Sequence, residues 1–358
     1  MVKVDRARQV RDGEELDGEG LREFLEGALE RSVSPLEILQ FPAGHSNMTY
    51  LLKAGDDEFV LRRPPRGTRP KSGHDMAREY GILKGLSSVV EWAPTPVALC
   101  EDEEVLGAPF FVMERVSGVI LRGGDGGQGP LSQESWRRLS ELCVDTLAAI
   151  HGVDRQAAGL SELGRPEGYM TRQVEGWRRR WERTRTEEVP AIEVAFDWLE
   201  SSMPGDDPAQ VALIHNDFKY DNLVLSEDLE QVKAVLDWEL ATVGDRRMDL
   251  GTSLAYWAEP GDEPVLLMMG LSPTAQEGNL TREEVVRRYE EVSGMAVSDP
   301  TFYYIYGLVK VAVIGQQIYY RFHHGQTSDK RFAGLIEAVK ALGRQVRWSL
   351  ETERLSRS

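Results

Sequence analysis

The stretch over residues 214–223, IHNDFKYDNL, holds the side chains best suited to chemistry in this chain. His215, Asp217 and Asn222 lie together in it, with five residues from the aspartate to the asparagine. An apolar segment runs into this polar loop and another leaves it, which is typical of a loop between two buried strands. Three short strands are predicted in this region, over residues 211–214, 223–225 and 232–236.

A second carboxylate, Asp237, follows the third of these strands. The turn at 226–231 predicts that the second and third strands form a hairpin, so their far ends lie side by side. Asn222 is therefore expected close to Asp237. Mg²⁺ prefers a few protein oxygens together with substrate phosphates, so this pair predicts a magnesium site. Asp217 would lie beside the metal without binding it, where it could accept a proton from an attacking hydroxyl.

The elements that must position this loop fall into two halves. The first half predicts a mixed sheet of about five strands, with one helix inserted after the third. Its strands are expected over residues 37–41, 49–54, 58–62, 97–100 and 110–116, and its helices over 21–31 and 74–86. The second half is mostly helical, with helices predicted over 132–151, 171–203, 281–292, 301–322 and 328–350. Thr281 with Glu284 forms a capping box, and Gly294 ends the helix that it opens.

The spacing of Asp217, Asn222 and Asp237 resembles the catalytic loop of kinases. Protein kinases open this loop with His-Arg-Asp and the metal site with Asp-Phe-Gly, whereas this chain has His-Asn-Asp and Asp-Trp-Glu. The chain is more similar to the aminoglycoside phosphotransferase and choline kinase-like family. The strings HNDFKYDNLVL and AVLDWELATVGDRRMDLG most resemble its branch that is fused to, or encoded beside, acyl-CoA dehydrogenases. The resemblance runs from about residue 38 to about residue 322.

This resemblance implies an α+β, two-lobed protein-kinase-like fold, with a small sheet-containing lobe and a larger helical lobe. Residues 1–116 would form the nucleotide-binding lobe, and residues 117–358 the catalytic and acceptor-binding lobe. The implied cofactors are ATP, with GTP not excluded, and Mg²⁺. The implied reaction moves the γ-phosphate to a hydroxyl of a small molecule, with a hydroxyacyl-CoA-type metabolite as the favoured acceptor.

The resemblance also implies roles for single residues of the second half. Asp217 would be the catalytic base or would orient the hydroxyl, and Asn222 and Asp237 would hold Mg²⁺. His215 would brace the loop backbone. Asp249, in MDLG, would begin the next helix and hydrogen-bond the catalytic loop from behind.

The expected nucleotide contacts of the first half begin at the turn after the first strand. Ser46 and Asn47 in this turn would face the ATP phosphates. The lysine of the kinase pattern is replaced by arginine at the end of the third strand, where alternation favours Arg62 over Arg63. Arginine keeps the charge but differs from lysine in geometry. Glu79 on the following helix would be its ion-pair partner.

The connector between the lobes is expected at Glu114 to Val116, where backbone groups would read the adenine edge. Val60 and Leu225 could then sandwich the base. The acceptor pocket would be built from helices of the second half, without assigned residues.

Charge and composition limit the alternatives. Among 358 residues, 42 Lys and Arg stand against 59 Asp and Glu, a net charge of −17 that disfavours nucleic-acid partners and anionic membranes. The chain shows no signal peptide and no apolar run long enough for a membrane span, so a cytoplasmic location is expected. The two cysteines are predicted as reduced core residues. The oligomeric state is not indicated.

Two other functions fit the sequence. One is phosphorylation of aminoglycoside antibiotics at a 3'-type hydroxyl, since cationic aminoglycosides would suit an acidic pocket. The other is a nucleotide-binding regulator with little catalysis, suggested by arginine in place of lysine and by a phosphate loop with a single glycine, Gly44.

Overall fold

The computed structural model describes residues 6–42, 47–65, 75–123, 131–270, 272–327 and 329–357. Within these ranges the N-terminal part is built on a five-stranded sheet, and the C-terminal part is mostly helical. The predicted boundary between residues 116 and 117 falls just after the last strand of this sheet and stays a prediction.

The sheet is antiparallel throughout its described strands. They are β1 (Leu36–Gln40), β2 (Met48–Ala54), β3 (Asp57–Arg63), β4 (Pro96–Cys100) and β5 (Phe110–Glu114), in the order β1-β2-β3-β5-β4. The prediction of a mixed sheet is therefore wrong. β3 and β4 do run parallel to each other, but the β4–β5 hairpin places β5 between them, and β5 is antiparallel to both.

Three helices accompany the sheet: α1 (Gly18–Leu29), α2 (Met76–Leu86) and α3 (Glu103–Leu106). α1 begins three residues before the predicted start because the Asp17 side chain accepts hydrogen bonds from the backbone of Glu19 and Gly20. Asp75 caps α2 in the same way, through the backbone of Arg78.

The two faces of β3 pack against different cores. Phe59 and Leu61 join the cluster beneath α1, whereas Val60 belongs to the large core that continues into the helical part. Because successive side chains of a strand point to opposite faces, Arg62 shares the face of Val60 and Arg63 that of Leu61. This alternation decides which arginine can reach the space between the two parts.

The helical part consists of α4 (Gln133–His151), α5 (Tyr169–Thr184), α6 (Pro190–Ser201), α7 (Arg246–Tyr256), α8 (Pro264–Met268), α9 (Arg282–Ser293), α10 (Pro300–His323) and α11 (Leu335–Thr352). The predicted capping box of Thr281 and Glu284 and the Gly294 end of α9 are confirmed. α11 begins later than predicted, because a 3₁₀ turn over Lys330–Gly334 precedes it.

Four short strands interrupt the helices: β6 (Val211–Ile214), β7 (Leu223–Leu225), β8 (Val232–Val235) and β9 (Thr242–Asp245). β7 and β8 form the predicted hairpin, with Leu223 opposite Val235. β9 was not predicted, and it pairs antiparallel with β6. This pairing fixes the strand from which the chemically rich loop departs.

α7 and α10 cross at two glycines. A Cβ on Gly307 would stand 2.0 Å from the carbonyl oxygen of Gly251, and a Cβ on Gly251 would stand 2.1 Å from that of Tyr303. The two backbones approach this closely only because neither glycine carries a side chain. The crossing therefore fixes α10 directly behind α7.

No helix among the described residues combines the length and apolar character needed to cross a membrane. Cys100 and Cys143 are both buried and form no disulfide, as predicted.

Candidate active site

The loop after β6 is held from behind by a buried carboxylate. Asp249, in the first turn of α7, accepts hydrogen bonds from the backbone N–H groups of His215 and Asn216, each over 2.7 Å. Its Oδ2 also lies 3.1 Å from Nε2 of His151 on α4. Burial opposes its ionisation, but His151 and the backbone donors hold the pKa of Asp249 below its ordinary value. The predicted position of Asp249 behind the loop is what the structure shows.

His215 connects the loop to the end of β8. Its Nε2 lies 2.8 Å from the carbonyl oxygen of Leu236, and its Nδ1 lies 3.3 Å from the backbone nitrogen of Asp217. A carbonyl accepts and a backbone N–H donates, so this environment favours the proton on Nε2. The imidazole thus spans from the predicted base to the strand before Asp237.

Asp217 is surrounded by donors. Its Oδ2 lies 3.0 Å from Nζ of Lys219 and 3.3 Å from Nδ2 of Asn222. The Lys219 ammonium also stands 4.8 Å from the centre of the Tyr256 ring. Burial opposes the charge of Lys219, but Asp217 and its neighbours raise its pKa above the ordinary value, so it stays a cation. The carboxylate is therefore held in one orientation.

Asn222 and Asp237 lie side by side, as the hairpin predicts, and the backbone N–H of Leu236 donates to the carbonyl oxygen of Asn222 over 2.8 Å. The amide nitrogen of Asn222 faces Asp217, with 2.8 Å to its backbone oxygen. Its Oδ1 therefore points away from that aspartate. Asp237 adopts φ 69°, a left-handed conformation that Asp tolerates better than most residues.

Arg62 joins both parts of the molecule. Its Nη1 donates to Oε1 of Glu79 over 2.7 Å, and its Nη2 donates to Oδ1 of Asp237 over 2.8 Å. The neighbouring Arg63 points to the other face, where Nη1 donates to the carbonyl oxygen of Leu106. Alternation thus separates the two arginines as predicted.

Burial is the largest influence on the charged groups around Arg62. It raises the pKa of Glu79 to about 7 even with the guanidinium beside it. For Asp237, burial acts in the same direction, but Arg62 outweighs it and holds the pKa below its ordinary value. The Arg62 guanidinium thus keeps Asp237, the carboxylate that faces the cleft, ionised.

A cavity of about 340 Å³ lies between the two parts. Its wall includes Asn47, Arg62, Glu114, Val116, Asp217, Asn222 and Asp237, all predicted as site residues. Glu79 lies behind Arg62 rather than in this wall, and His215 and Asp249 lie beneath the loop. Ser46 falls outside the described residues. The geometry therefore brings the predicted metal ligands Asn222 and Asp237 and the predicted base Asp217 to one space with part of the predicted nucleotide set.

The apolar walls differ from the prediction on one side. Val60 and Met113 line the cavity from the sheet, and Val224 and Leu236 line it from the β7–β8 hairpin. Leu225 does not line it, because its side chain points into the core on the opposite face of β7. The connector N–H groups of Glu114 and Arg115 already bond Thr95 and Glu58. In this connector, the groups left to bond the edge of a base are the backbone N–H of Val116 and the backbone carbonyl groups.

Several residues at the site were not predicted. Glu239 accepts from Nδ2 of Asn47 over 2.5 Å, and Arg78 of α2 donates to the carbonyl oxygens of Glu239 and Ala241. Glu239 and Lys219 stand inside the motifs themselves and could have been noted there. His151 contacts Asp249 from α4 and Lys310 contacts the loop from α10, and their spacing in the sequence gives no such signal.

The cavity is locally balanced in charge although the chain is acidic. Its described wall carries the cations Arg62, Arg115, Arg122 and Lys219 and the carboxylates Glu114, Asp217, Asp221 and Asp237. The charges that line a cleft determine which ligands it attracts, and they count for more than the net charge of the whole protein.

Comparisons with known proteins agree with this geometry. Residues 37–278 match the model of the phosphotransferase enzyme family. The chain is 34 % identical over 328 residues to acyl-CoA dehydrogenase family member 10 of Mus musculus, covering 91 % of this chain and 30 % of the relative. It is 31 % identical over 331 residues to family member 11 of Homo sapiens, covering 91 % and 42 %. The chain thus spans less than half the length of these relatives.

Solved structures show the same architecture. A crystal structure from Ralstonia eutropha JMP134, named as a candidate aminoglycoside phosphotransferase, aligns with a TM-score of 0.80 at 29 % identity, covering 95 % of this chain and 99 % of that one. Aminoglycoside 2'-phosphotransferase-IIIa, solved as its GDP complex, aligns with a TM-score of 0.60 at 16 % identity, covering 91 % and 99 %. The chain therefore has the kinase-like fold of these enzymes and belongs to the phosphotransferase enzyme family.

Proposed function

We propose that this protein transfers the γ-phosphate of ATP to a hydroxyl of a small molecule, with Mg²⁺ as cofactor. One observation carries the proposal: Asp217, Asn222 and Asp237 face the same 340 Å³ cavity, with Arg62 in the same wall. Phosphoryl transfer needs positioning and charge stabilisation more than covalent chemistry, and this set supplies both.

Asp217 would orient the acceptor hydroxyl and take its proton. Lys219 and Asn222 restrict its carboxylate to one direction. Lys219, which lines the same cavity, would also place a cation near the transferred group, where negative charge develops. Arg62, backed by Glu79, would contact the nucleotide phosphates from the sheet side.

The residues present fit a magnesium ion. Asn222 turns its amide oxygen away from Asp217, and Asp237 engages Arg62 through Oδ1. The described residues hold no group of three or more His, Cys, Asp or Glu side chains that could bind a metal alone. A two-oxygen site completed by substrate phosphates is what Mg²⁺ prefers. When bound there, the ion would neutralise charge on the phosphates.

The acceptor is proposed as a hydroxyacyl thioester of the CoA type. Its support is the similarity to proteins named as acyl-CoA dehydrogenase family members. Aminoglycosides remain the second candidate, because the fold is shared with enzymes that phosphorylate them. The intact set of Asp217, Asn222 and Asp237 argues against a non-catalytic regulator.

The test is transfer from γ-labelled ATP, and from GTP in parallel, to a panel of hydroxyacyl-CoAs and a panel of aminoglycosides. Asp217→Ala should abolish transfer while ATP binding, measured by calorimetry, stays within about twofold. Asp56→Ala, in the exposed β2–β3 turn, is the matched control and should act as wild type. Wild-type turnover by Asp217→Ala would overturn the role of the base. Failure of both panels, with no metal-dependent ATP hydrolysis, would overturn the proposed activity.

A further inference from the structure

The residue before the proposed base is held on four sides. Asn216 adopts φ 67°, a left-handed conformation that is uncommon outside glycine but that asparagine tolerates better than most residues. Its N–H donates to Asp249, and its side chain bonds the hydroxyl of Tyr169 and the carbonyl oxygen of Leu240. Its own carbonyl oxygen accepts from Nζ of Lys310 over 2.7 Å. The residue that precedes Asp217 is thus hydrogen-bonded at its N–H, its side chain and its C=O.

Lys310 is unusual among these anchors because it is a buried cation. Its side chain is 3 % exposed, and Nζ reaches the hydroxyl of Thr252 at 3.4 Å and the centre of the Trp177 ring at 6.0 Å. A buried ammonium carries a large desolvation cost unless it is paired and hydrogen-bonded. The hydrogen bonds to Asn216 and Thr252 offset part of this cost.

The crossing of α7 and α10 positions the amine of Lys310 beside the loop. Lys310 lies one turn beyond Gly307, where α10 crosses α7 at Gly251. Asp249 lies on α7 at the same crossing. The close approach of the two backbones therefore brings Asp249 and Lys310 to the same loop. Asp249 accepts from two of its N–H groups, and Lys310 donates to one of its carbonyl oxygens.

We propose that Lys310 is a positioning residue for Asp217: by holding the Asn216 carbonyl it fixes the peptide from which the catalytic carboxylate projects. This inference rests on the proposed function, since it assigns Lys310 a part in that reaction. A misplacement of about 1 Å in a catalytic group can cost about 100-fold in rate. An anchor directly before the base is well placed to prevent it.

The charge of Lys310 offers a second test of this role, through its dependence on pH. Burial lowers its pKa to about 8; Asp249 and Asp217 act to raise it, and Lys219 and Arg180 of α5 act to lower it. The neutral amine is a weaker donor than the ammonium, so the hold on Asn216 weakens as pH rises through 8.

The experiment compares wild type with Lys310→Met, which keeps the length of the side chain and removes its donor, and with Lys310→Arg, which keeps a cation. Lys340→Met is the matched control, because this lysine is on α11 and pairs with Glu187 and Glu337 at the surface. Two quantities are measured. One is hydrogen exchange of the peptide covering residues 214–223, and the other is metal-dependent ATP turnover between pH 6.5 and 9.5.

Lys310→Met should exchange faster in residues 214–223 while peptides of the β1–β5 sheet are unchanged. Its kcat should fall about 10- to 100-fold with KM for ATP within about twofold. The wild-type rate should decline as pH passes 8, and this decline should be absent in the variant. Lys310→Arg should recover part of the rate.

Unchanged exchange in residues 214–223 would overturn the positioning role, whatever the rate does. A rate decline near pH 8 that persists unaltered in Lys310→Met would also overturn it. The exchange measurement needs no turnover. If wild type shows no transfer to any acceptor or to water, the proposed function fails, and faster exchange in Lys310→Met would still establish the anchor.

Discussion

Arg62 of β3 and Asp237 after β8 form an ion pair of 2.8 Å across the cleft, so the sheet-containing part and the helical part are joined at the proposed phosphate site. The same guanidinium pairs with Glu79 at 2.7 Å. Its Nη2 also lies 3.4 Å from Oε2 of Glu239, so a nucleotide entering this cavity would meet a cation that is already oriented by three carboxylates. Because these charged groups are already in place, the site needs little rearrangement during phosphoryl transfer.

Removing this cation should damage both stability and nucleotide binding. Arg62→Ala leaves Glu79 buried without its partner, which costs about 3–5 kcal/mol in buried pairs. It also removes a charged donor worth about 1.5–3 kcal/mol, so KM for ATP should rise roughly 10- to 100-fold. Urea unfolding and steady-state kinetics measure the two effects, and Arg62→Lys should recover part of each.

Arg63→Met is the control for this prediction. Arg63 is also buried on β3, but it faces Leu106 and not the cleft. It should lower stability without changing KM for ATP. An unchanged KM in Arg62→Ala would show that the guanidinium is structural only.

Asp249→Asn should slow the reaction without affecting nucleotide affinity. The carboxylate accepts from the N–H groups of His215 and Asn216 with separate oxygens, and an amide can accept with only one. One buried N–H then loses its partner, at a cost of about 1–3 kcal/mol. We expect kcat to fall roughly 10- to 100-fold as the loop shifts. Asp228→Asn, in the exposed β7–β8 turn, should leave kcat unchanged, and an equal loss there would exclude a specific role for Asp249.

Much of the site was predictable because its chemistry is local. Asn222 and Asp237 are brought together by a hairpin of six turn residues, and strand alternation separates Arg62 from Arg63. Lys310 and His151 could not be predicted, because helix packing brings Lys310 to Asn216 and His151 to Asp249 across 94 and 98 residues of sequence. β9 escaped prediction because Thr242–Asp245 is four residues long and contains Gly244, and only pairing with β6 makes it a strand.

The glycine crossing behind the loop should tolerate no side chain. In Gly307→Ala the added methyl would stand 2.0 Å from a backbone oxygen of α7, which cannot move aside as a flexible side chain could. Overpacking of this kind costs about 1–3 kcal/mol or more, so the thermal midpoint should fall by several degrees. Gly27→Ala is the control, since nothing lies within 4 Å of its added Cβ. It should stabilise α1 by roughly 0.5–1 kcal/mol. Equal stability of the two variants would contradict the close crossing.

Lys310 should make a contribution to the stability of the protein that depends on pH and that Lys310→Met lacks. Its pKa falls from 10.5 to about 8 on folding, with burial as the main cause. Between these values Lys310 binds a proton in the unfolded chain but not in the folded protein, so its contribution to the free energy of unfolding rises with pH from 8 to 10.5. A shift of this size corresponds to a destabilisation of the folded protein by about 3 kcal/mol at neutral pH.

Lys310→Met lacks this contribution, so wild type should gain stability relative to the variant as pH rises. Urea unfolding of both proteins at pH 7.5, 8.5 and 9.5, followed by tryptophan fluorescence, measures the difference. A constant difference across this range would mean that Lys310 titrates alike in both states, and that its ammonium is not desolvated by folding.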